Sequence, residues 1–246
     1  MIFTKDKFKT FISLCSFIKN YCDDLHIKNA KIHQKSNNSL FVIDCDLSSI
    51  FNDDISEFRL SNLQSKINML SVFTDADNVS LTCDDKSYYI DDGISKLELR
   101  IPQDTILTNR YDEQLITSYN PETMILTYGL DNSILKKIKK ISDITASQNI
   151  DFHISSEKVC AILTDTAKNV TMNVFELPYN GKLTITNPYT LRLNNVCFIN
   201  IPPKTESNLA IYYDESSNIT TTVVDIKFDN ELYIDIYQRT RANRSM

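Results

Sequence analysis

Glycine is almost missing from this chain, with three in 246 residues. Loops that cradle phosphate need glycine where the backbone must approach an anion. No G-x-x-x-x-G-K or G-x-G-x-x-G occurs, so nucleotide loops of those types are excluded. Tryptophan is absent, and the 10% aromatic content is Tyr and Phe. The six cysteines (Cys15, Cys22, Cys45, Cys83, Cys160, Cys197) lie far apart, with no C-x-x-C and no histidine at ligand spacing. They read as reduced core residues, so neither a disulfide framework nor a metal or cofactor is expected. No apolar run approaches the roughly 20 residues of a membrane span. Lys5, Lys7, Lys9 and Lys19 interrupt the apolar residues of the N-terminus before a signal-peptide core can form. The expectation is a cytoplasmic protein (host cytoplasm for a viral chain) with no membrane partner. His26, His33 and His153 are scattered through strand-like runs. The pairs Asp53-Asp54, Asp84-Asp85 and Asp91-Asp92 sit in turns, where Asp is favoured for backbone reasons. Nothing marks an acid–base pair, so no enzymatic activity is expected.

What is present is a globular composition, 42% hydrophobic and 24% charged, with a net charge of −6. That balance argues against coating nucleic acid with the whole surface, and it leaves room for one basic face. Residues 131–142 supply one. At 100° per residue, Ile134, Leu135, Ile138 and Ile141 fall on one arc of a helix, while Lys136, Lys137, Lys139 and Lys140 fall on the other. Asp131, Asn132 or Ser133 can cap its start. Alone, such a helix is an ordinary solvated surface element.

A second amphipathic helix is predicted over residues 5–22, with Phe8, Phe11, Leu14, Cys15, Ile18 and Cys22 as its stripe and Thr4 as its N-cap. A third covers Ser61 to Leu70. Short strands fill the rest of each half, with a hairpin turn at Asp84 to Lys86. Residues 102–122 hold prolines near both ends and no periodicity, which predicts a connector over 103–122 between domains 1–102 and 123–246. Thr190 to Asn200 reads as one extended run, and the tail from Gln238 is basic.

The halves also repeat. Phe58-Arg-Leu-Ser-Asn-Leu matches Leu191-Arg-Leu-Asn-Asn-Val, and Val79-Ser-Leu-Thr-Cys-Asp-Asp matches Leu209-Ala-Ile-Tyr-Tyr-Asp-Glu. The helices around Phe8 and Ile134 share the same offset of about 130 residues. Duplication of an α+β domain follows, its antiparallel sheet on one side and its helices on the other.

These features together resemble the DNA sliding clamps, the class that includes proliferating cell nuclear antigen and, closer in pattern, the clamps of tailed bacteriophages. The resembling stretches include Lys5-Asp-Lys-Phe-Lys-Thr-Phe-Ile, Phe41-Val-Ile-Asp-Cys-Asp and Glu57-Phe-Arg-Leu-Ser-Asn-Leu. Leu130-Asp-Asn-Ser-Ile-Leu-Lys-Lys-Ile and Leu232-Tyr-Ile-Asp-Ile add to them. The resemblance implies duplicated clamp domains in a homotrimeric ring, with sheets outside and helices lining a hole that encircles double-stranded DNA without sequence specificity. It implies a processivity factor for a DNA polymerase, placed on DNA by a clamp loader and able to serve transcription as well. DNA-facing roles would go to Lys136, Lys137, Lys139 and Lys140, to Lys5 and Lys9, and to Lys66 and Arg192. The segment after Arg192 is a poor helix, with Asn194-Asn and Pro202-Pro, so the fourth lining helix is expected to be short or absent. Partner peptides would dock at Leu115, Ile116 and Tyr119, with Tyr237 opposite; a buried connector anchor is the equally good reading of those residues. Subunits would meet through Lys96 to Ile101 and Val170 to Leu177. The alternative is a viral structural or host-interaction β-rich protein with no DNA-related activity. The lysine helices discriminate, since such a protein has no need of them in both halves.

Overall fold

The computed structural model describes all residues except 52–55, 166–169, 183, 187, 204, 215, 230–231 and 242–246. The Asp53-Asp54 pair and the end of the basic tail therefore lie outside the described residues. The chain divides into two compact units. Unit 1 is Met1–Ile116 with Phe228–Ile234, and unit 2 is Thr117–Lys227 with Asp235–Met246.

Unit 1 runs β1 (Ile2–Thr4), α1 (Lys5–Ile18), β2 (Leu25–Lys28), β3 (Lys31–Lys35), β4 (Phe41–Asp46), β5 (Glu57–Leu60), α2 (Leu63–Leu70), β6 (Asn78–Cys83), β7 (Ser87–Asp91) and β8 (Lys96–Arg100). Its strands pair in the orders β1-β6-β7-β8 and β5-β2-β3-β4. The second half runs β9 (Met124–Gly129), α3 (Asn132–Thr145), β10 (Asn149–Ile154), β11 (Lys158–Asp165), β12 (Val170–Pro178), β13 (Tyr189–Asn194), α4 (Val196–Ile199), β14 (Glu206–Asp214), β15 (Ile219–Asp229) and β16 (Leu232–Arg241). Its orders are β9-β14-β15-β16 and β13-β10-β11-β12. The two sets correspond element for element, and the ladders formed by the described residues in these orders include antiparallel pairs throughout β1-β6-β7-β8, β5-β2-β3-β4, β13-β10-β11-β12 and β9-β14-β15. Both sequence matches fall on equivalent places, one on the β5–α2 and β13–α4 passages and the other on β6 and β14.

In unit 1 the apolar stripe of α1 buries Phe8 and Phe11 among Phe3, Phe51 and Phe58, with ring centroids 5.3–6.0 Å apart. The helix ends at Ile18, short of the expected Cys22. There Asn20 turns its Nδ2 back to donate to the carbonyls of Ser16 and Phe17, at 3.4 and 3.0 Å. Such side-chain bonds compete with continued helix. Cys22 is buried all the same. Thr4 holds the extended conformation of an N-cap but makes no capping bond with its side chain. Among the described residues no helix is long and apolar enough to cross a membrane.

The β2–β3 hairpin turns on Asn29 and Ala30, both left-handed at φ 51° and 55°. Two positive φ values match the twist that a two-residue hairpin needs, and alanine is strained there by its Cβ. Ala30→Gly is expected to raise stability by about 0.5–1 kcal/mol in a denaturant titration, against the usual entropic cost of a new glycine. A loss of stability would show that the turn is not left-handed.

In unit 2, α3 buries Leu135, Ile138 and Ile141, and Phe152 of β10 touches Phe175 and Phe198 at 6.0 and 6.3 Å. The expected extended run from Thr190 to Asn200 is broken at Asn195. This buried side chain donates through Nδ2 to Ser142 Oγ at 2.9 Å and to the Ser147 carbonyl at 2.6 Å. It thereby starts α4, one turn of four residues beside the end of α3.

Candidate nucleic-acid and partner surfaces

Helix α3 forms because its apolar period fits one buried stripe and because Asp131 caps it. One Asp131 carboxylate oxygen accepts from the Ser133 and Ile134 amides at 2.8 and 2.9 Å. Hydrogen bonds from the Ser133 side chain and these amides hold that carboxyl below its usual range. Lys136, Lys137, Lys139 and Lys140 are all exposed. Lys137 donates its Nζ to the Val174 carbonyl on β12. Among the described residues no carboxylate is placed to pair with Lys136, Lys139 or Lys140. A face with three unpaired ammonium groups attracts polyanion without fixing a sequence.

The equivalent helix of unit 1 differs. Lys5 Nζ donates to the Asp75 carbonyl at 3.0 Å, and Lys9 Nζ lies 3.7 Å from the Asp75 carboxylate, in the turn after α2. Both lysines are thus partly committed within their own unit. Lys66 is half-buried on α2. Arg192 is on a strand rather than a helix. It pairs side-on with Asp151 of β10, Nε to Oδ1 at 2.7 Å and Nη2 to Oδ2 at 2.8 Å. Its neighbours Leu191 and Leu193 point to the buried side with Phe152 and α4, so alternation puts Arg192 on the sheet face away from the helices. The short helix that follows carries no basic residue.

Residues 102–116, which show no periodicity in the sequence, make a series of polar contacts to β2, β3 and their flanks. Buried Asp24 accepts from the Thr108 amide and hydroxyl at 2.6 and 2.8 Å, and from the Asn62 amide at 3.2 Å. Asn109, 3% exposed, accepts from the Asp23 amide at 3.1 Å and donates to the Lys35 carbonyl at 2.8 Å. The Tyr111 amide donates to His26 Nδ1 at 3.0 Å, the Asp112 amide donates to the His33 carbonyl at 2.8 Å, and His33 Nε2 lies 2.9 Å from the Leu115 carbonyl. Single histidines and asparagines carry no periodic signal, so only the paired strands around them hinted at this clasp.

The expected partner-docking residues divide between the units. In unit 1, Leu115 is half-buried and Ile116 is 59% exposed. In unit 2, Tyr119 is 41% exposed and stacks on Tyr212 with centroids 4.1 Å apart. Burial, with Tyr119 adding to it, pushes the Tyr212 hydroxyl up to about 12. Tyr237 is buried, and its hydroxyl lies 3.1 Å from the Asp235 carboxylate. The two strands expected at subunit contacts, β8 and β12, are the outermost strands of their sheets. Among the described residues no group of three or more His, Cys, Asp or Glu side chains is placed to hold a metal ion.

No family model matches the chain. No curated protein matches it in sequence. Solved structures do match along its whole length. A PCNA from Thermococcus kodakaraensis is similar with a TM-score of 0.64 at 13% identity, covering 99% of each chain. A. fulgidus PCNA, solved with the C-terminal region of FEN-1 bound, gives 0.64 at 12% identity over 100% of this chain and 98% of that one. A PCNA2–PCNA3 complex from Sulfolobus tokodaii gives 0.62 at 14% identity over 99% and 100%. The chain therefore has the α+β fold of proliferating cell nuclear antigen.

Proposed function

We propose that this protein is a DNA sliding clamp, a non-enzymatic ring that encircles duplex DNA and tethers a DNA polymerase to its template. One observation carries the reading: the lysine face of α3, set on a duplicated fold like that of PCNA from end to end. A sliding ring needs phosphate attraction without base contacts, and hydrated lysines on flexible stems suit it better than a fixed arginine fork. The DNA surface we assign is Lys136, Lys139 and Lys140 first, then Lys137, Lys5, Lys9 and Lys66. Arg192 is left out because its ion pair and its sheet face point it elsewhere.

The ring is proposed as a homotrimer joined through β8 and β12, whose outer edges offer unpaired backbone groups to another strand. In light scattering the protein is expected to approach three times 28.3 kDa as concentration rises. A monomer mass at every concentration would sink the ring. Partner peptides are assigned to Leu115, Ile116 and Tyr119. The assignment follows the sequence resemblance, A. fulgidus PCNA has been solved with a C-terminal region of FEN-1 bound, and buried Tyr237 would contribute only after local movement. The sequence motifs resemble the clamps of tailed bacteriophages, and on that resemblance we propose loading by a clamp loader and service in transcription as well as replication. The deciding experiment is polymerase product length on primed template, with and without the protein and its loader. Longer products are expected only with both, and equal lengths would return the chain to the structural or host-binding alternative.

A further inference from the structure

We propose that His26 is a pH-operated latch on the connector: its protonation releases the chain at Tyr111 while His33 keeps hold of Leu115. The Tyr111 amide can only donate, so His26 Nδ1, 3.0 Å away, must present a lone pair. The ring proton then sits on Nε2, directed at Glu57 Oε1 at 2.6 Å. Protonating Nδ1 would set two donors against each other at hydrogen-bond distance, in a side chain only 7% exposed. The latched state therefore excludes a proton that the released state takes up. The latch closes as pH rises and opens as pH falls.

The surrounding groups set this balance. From β5 come Glu57 and Arg59, from β2 Lys28, from β3 His33 and Lys35, and from the connector Asp104, Arg110 and Asp112. Partial burial pushes the Glu57 carboxyl up, and hydrogen bonds from Arg59 and His26 outweigh it, leaving that carboxyl below its usual range. Glu57 thus holds its negative charge beside the ring. Arg59 also reaches Asp104 Oδ1 at 2.7 Å, so one network grips the connector at both Asp104 and Tyr111.

His33 works in the opposite sense. Its Nε2 donates to the Leu115 carbonyl, and its Nδ1 lies 3.3 Å from the Asp44 carboxylate. A proton gained there adds a donor toward Asp44 and leaves the Leu115 bond in place. Acid therefore frees the stretch around Tyr111 and keeps its far end anchored. On the clamp reading, that loosens the approach to the partner residues Leu115 and Ile116.

The test is amide hydrogen exchange on the full-length protein, read at Tyr111 and normalised to the intrinsic rate at each pH. Tyr111 protection is expected to fall roughly tenfold between about pH 8 and about pH 5.5, the loss of one hydrogen bond. The Leu115 carbonyl anchor is expected to persist, seen as a His33 Nε2–H resonance that stays protected from solvent exchange over the same range. In His26→Asn, the Oδ1 can accept where Nδ1 did and does not titrate, so Tyr111 protection should not vary with pH. Should that variant fail to fold, Glu57→Gln keeps an acceptor for Nε2–H and removes the anion that favours the protonated ring. It is expected to move the wild-type midpoint about one pH unit lower. Constant Tyr111 protection in the wild type overturns the latch, as does an unchanged pH dependence in His26→Asn or an unmoved midpoint in Glu57→Gln. None of these measurements involves DNA or polymerase, so the latch and the clamp reading can fail separately.

Discussion

Replacing Lys136, Lys137, Lys139 and Lys140 together with alanine is expected to weaken association with end-blocked duplex DNA roughly 10²–10³-fold at about 0.1 M salt. Each phosphate contact contributes about −0.9 to the slope of log affinity against log salt. With Lys137 already bonded to the Val174 carbonyl, the slope should flatten by about three. Polymerase products should shorten in parallel. The fold should survive, because all four side chains are exposed, the Asp131 cap is untouched and alanine favours helix. The single changes separate the roles. Lys136→Ala, Lys139→Ala and Lys140→Ala should each remove about one unit of slope, whereas Lys137→Ala should act partly on β12. An unchanged slope in a folded quadruple variant would remove α3 from the DNA surface.

Asp24→Ala is expected to cost unit 1 about 2–4 kcal/mol, at the connector and at the start of α2. The carboxylate satisfies the Thr108 amide and hydroxyl and the Asn62 amide, and Asp24 is 5% exposed. Deleting it leaves two part-buried amides without a partner, at up to about 1–3 kcal/mol each, reduced where water enters the cleft beside Asp24. Trypsin cleavage after exposed Arg110 reports the release, and its rate should rise by roughly two orders of magnitude while cleavage elsewhere is unaffected. A rate equal to that of the wild type would show that Asn109 and His26 hold the connector without Asp24.

The lysine helix was legible because three local rules agree on it: an apolar period, a capping residue and charge on the opposite arc. The repeat was legible where strands pass into helices, at Phe58 to Leu63 and Leu191 to Val196, since the same burial pattern recurs there. Other features depend on distant partners. The α1 helix stops early through Asn20, and Asn195 bends a predicted strand into a turn of helix by bonding Ser142 and Ser147. The connector left least trace, because Asp24, His26 and Asn109 meet it across a long stretch of sequence. The commitment of Lys5 and Lys9 to Asp75 is likewise a tertiary fact.

That separation in sequence bears on the order in which the chain folds. The contacts from Asp24 to Thr108 and from Tyr111 to His26 span 84 and 85 residues. Closing loops of that length costs entropy that β2, β3 and the α2 N-cap must first offset by assembling among themselves. The clasp can therefore form only on a nearly finished first repeat, among the last events of its folding. Contacts made that late belong to the native side of the barrier, so mutations in the clasp should speed unfolding and leave the folding rate nearly unchanged.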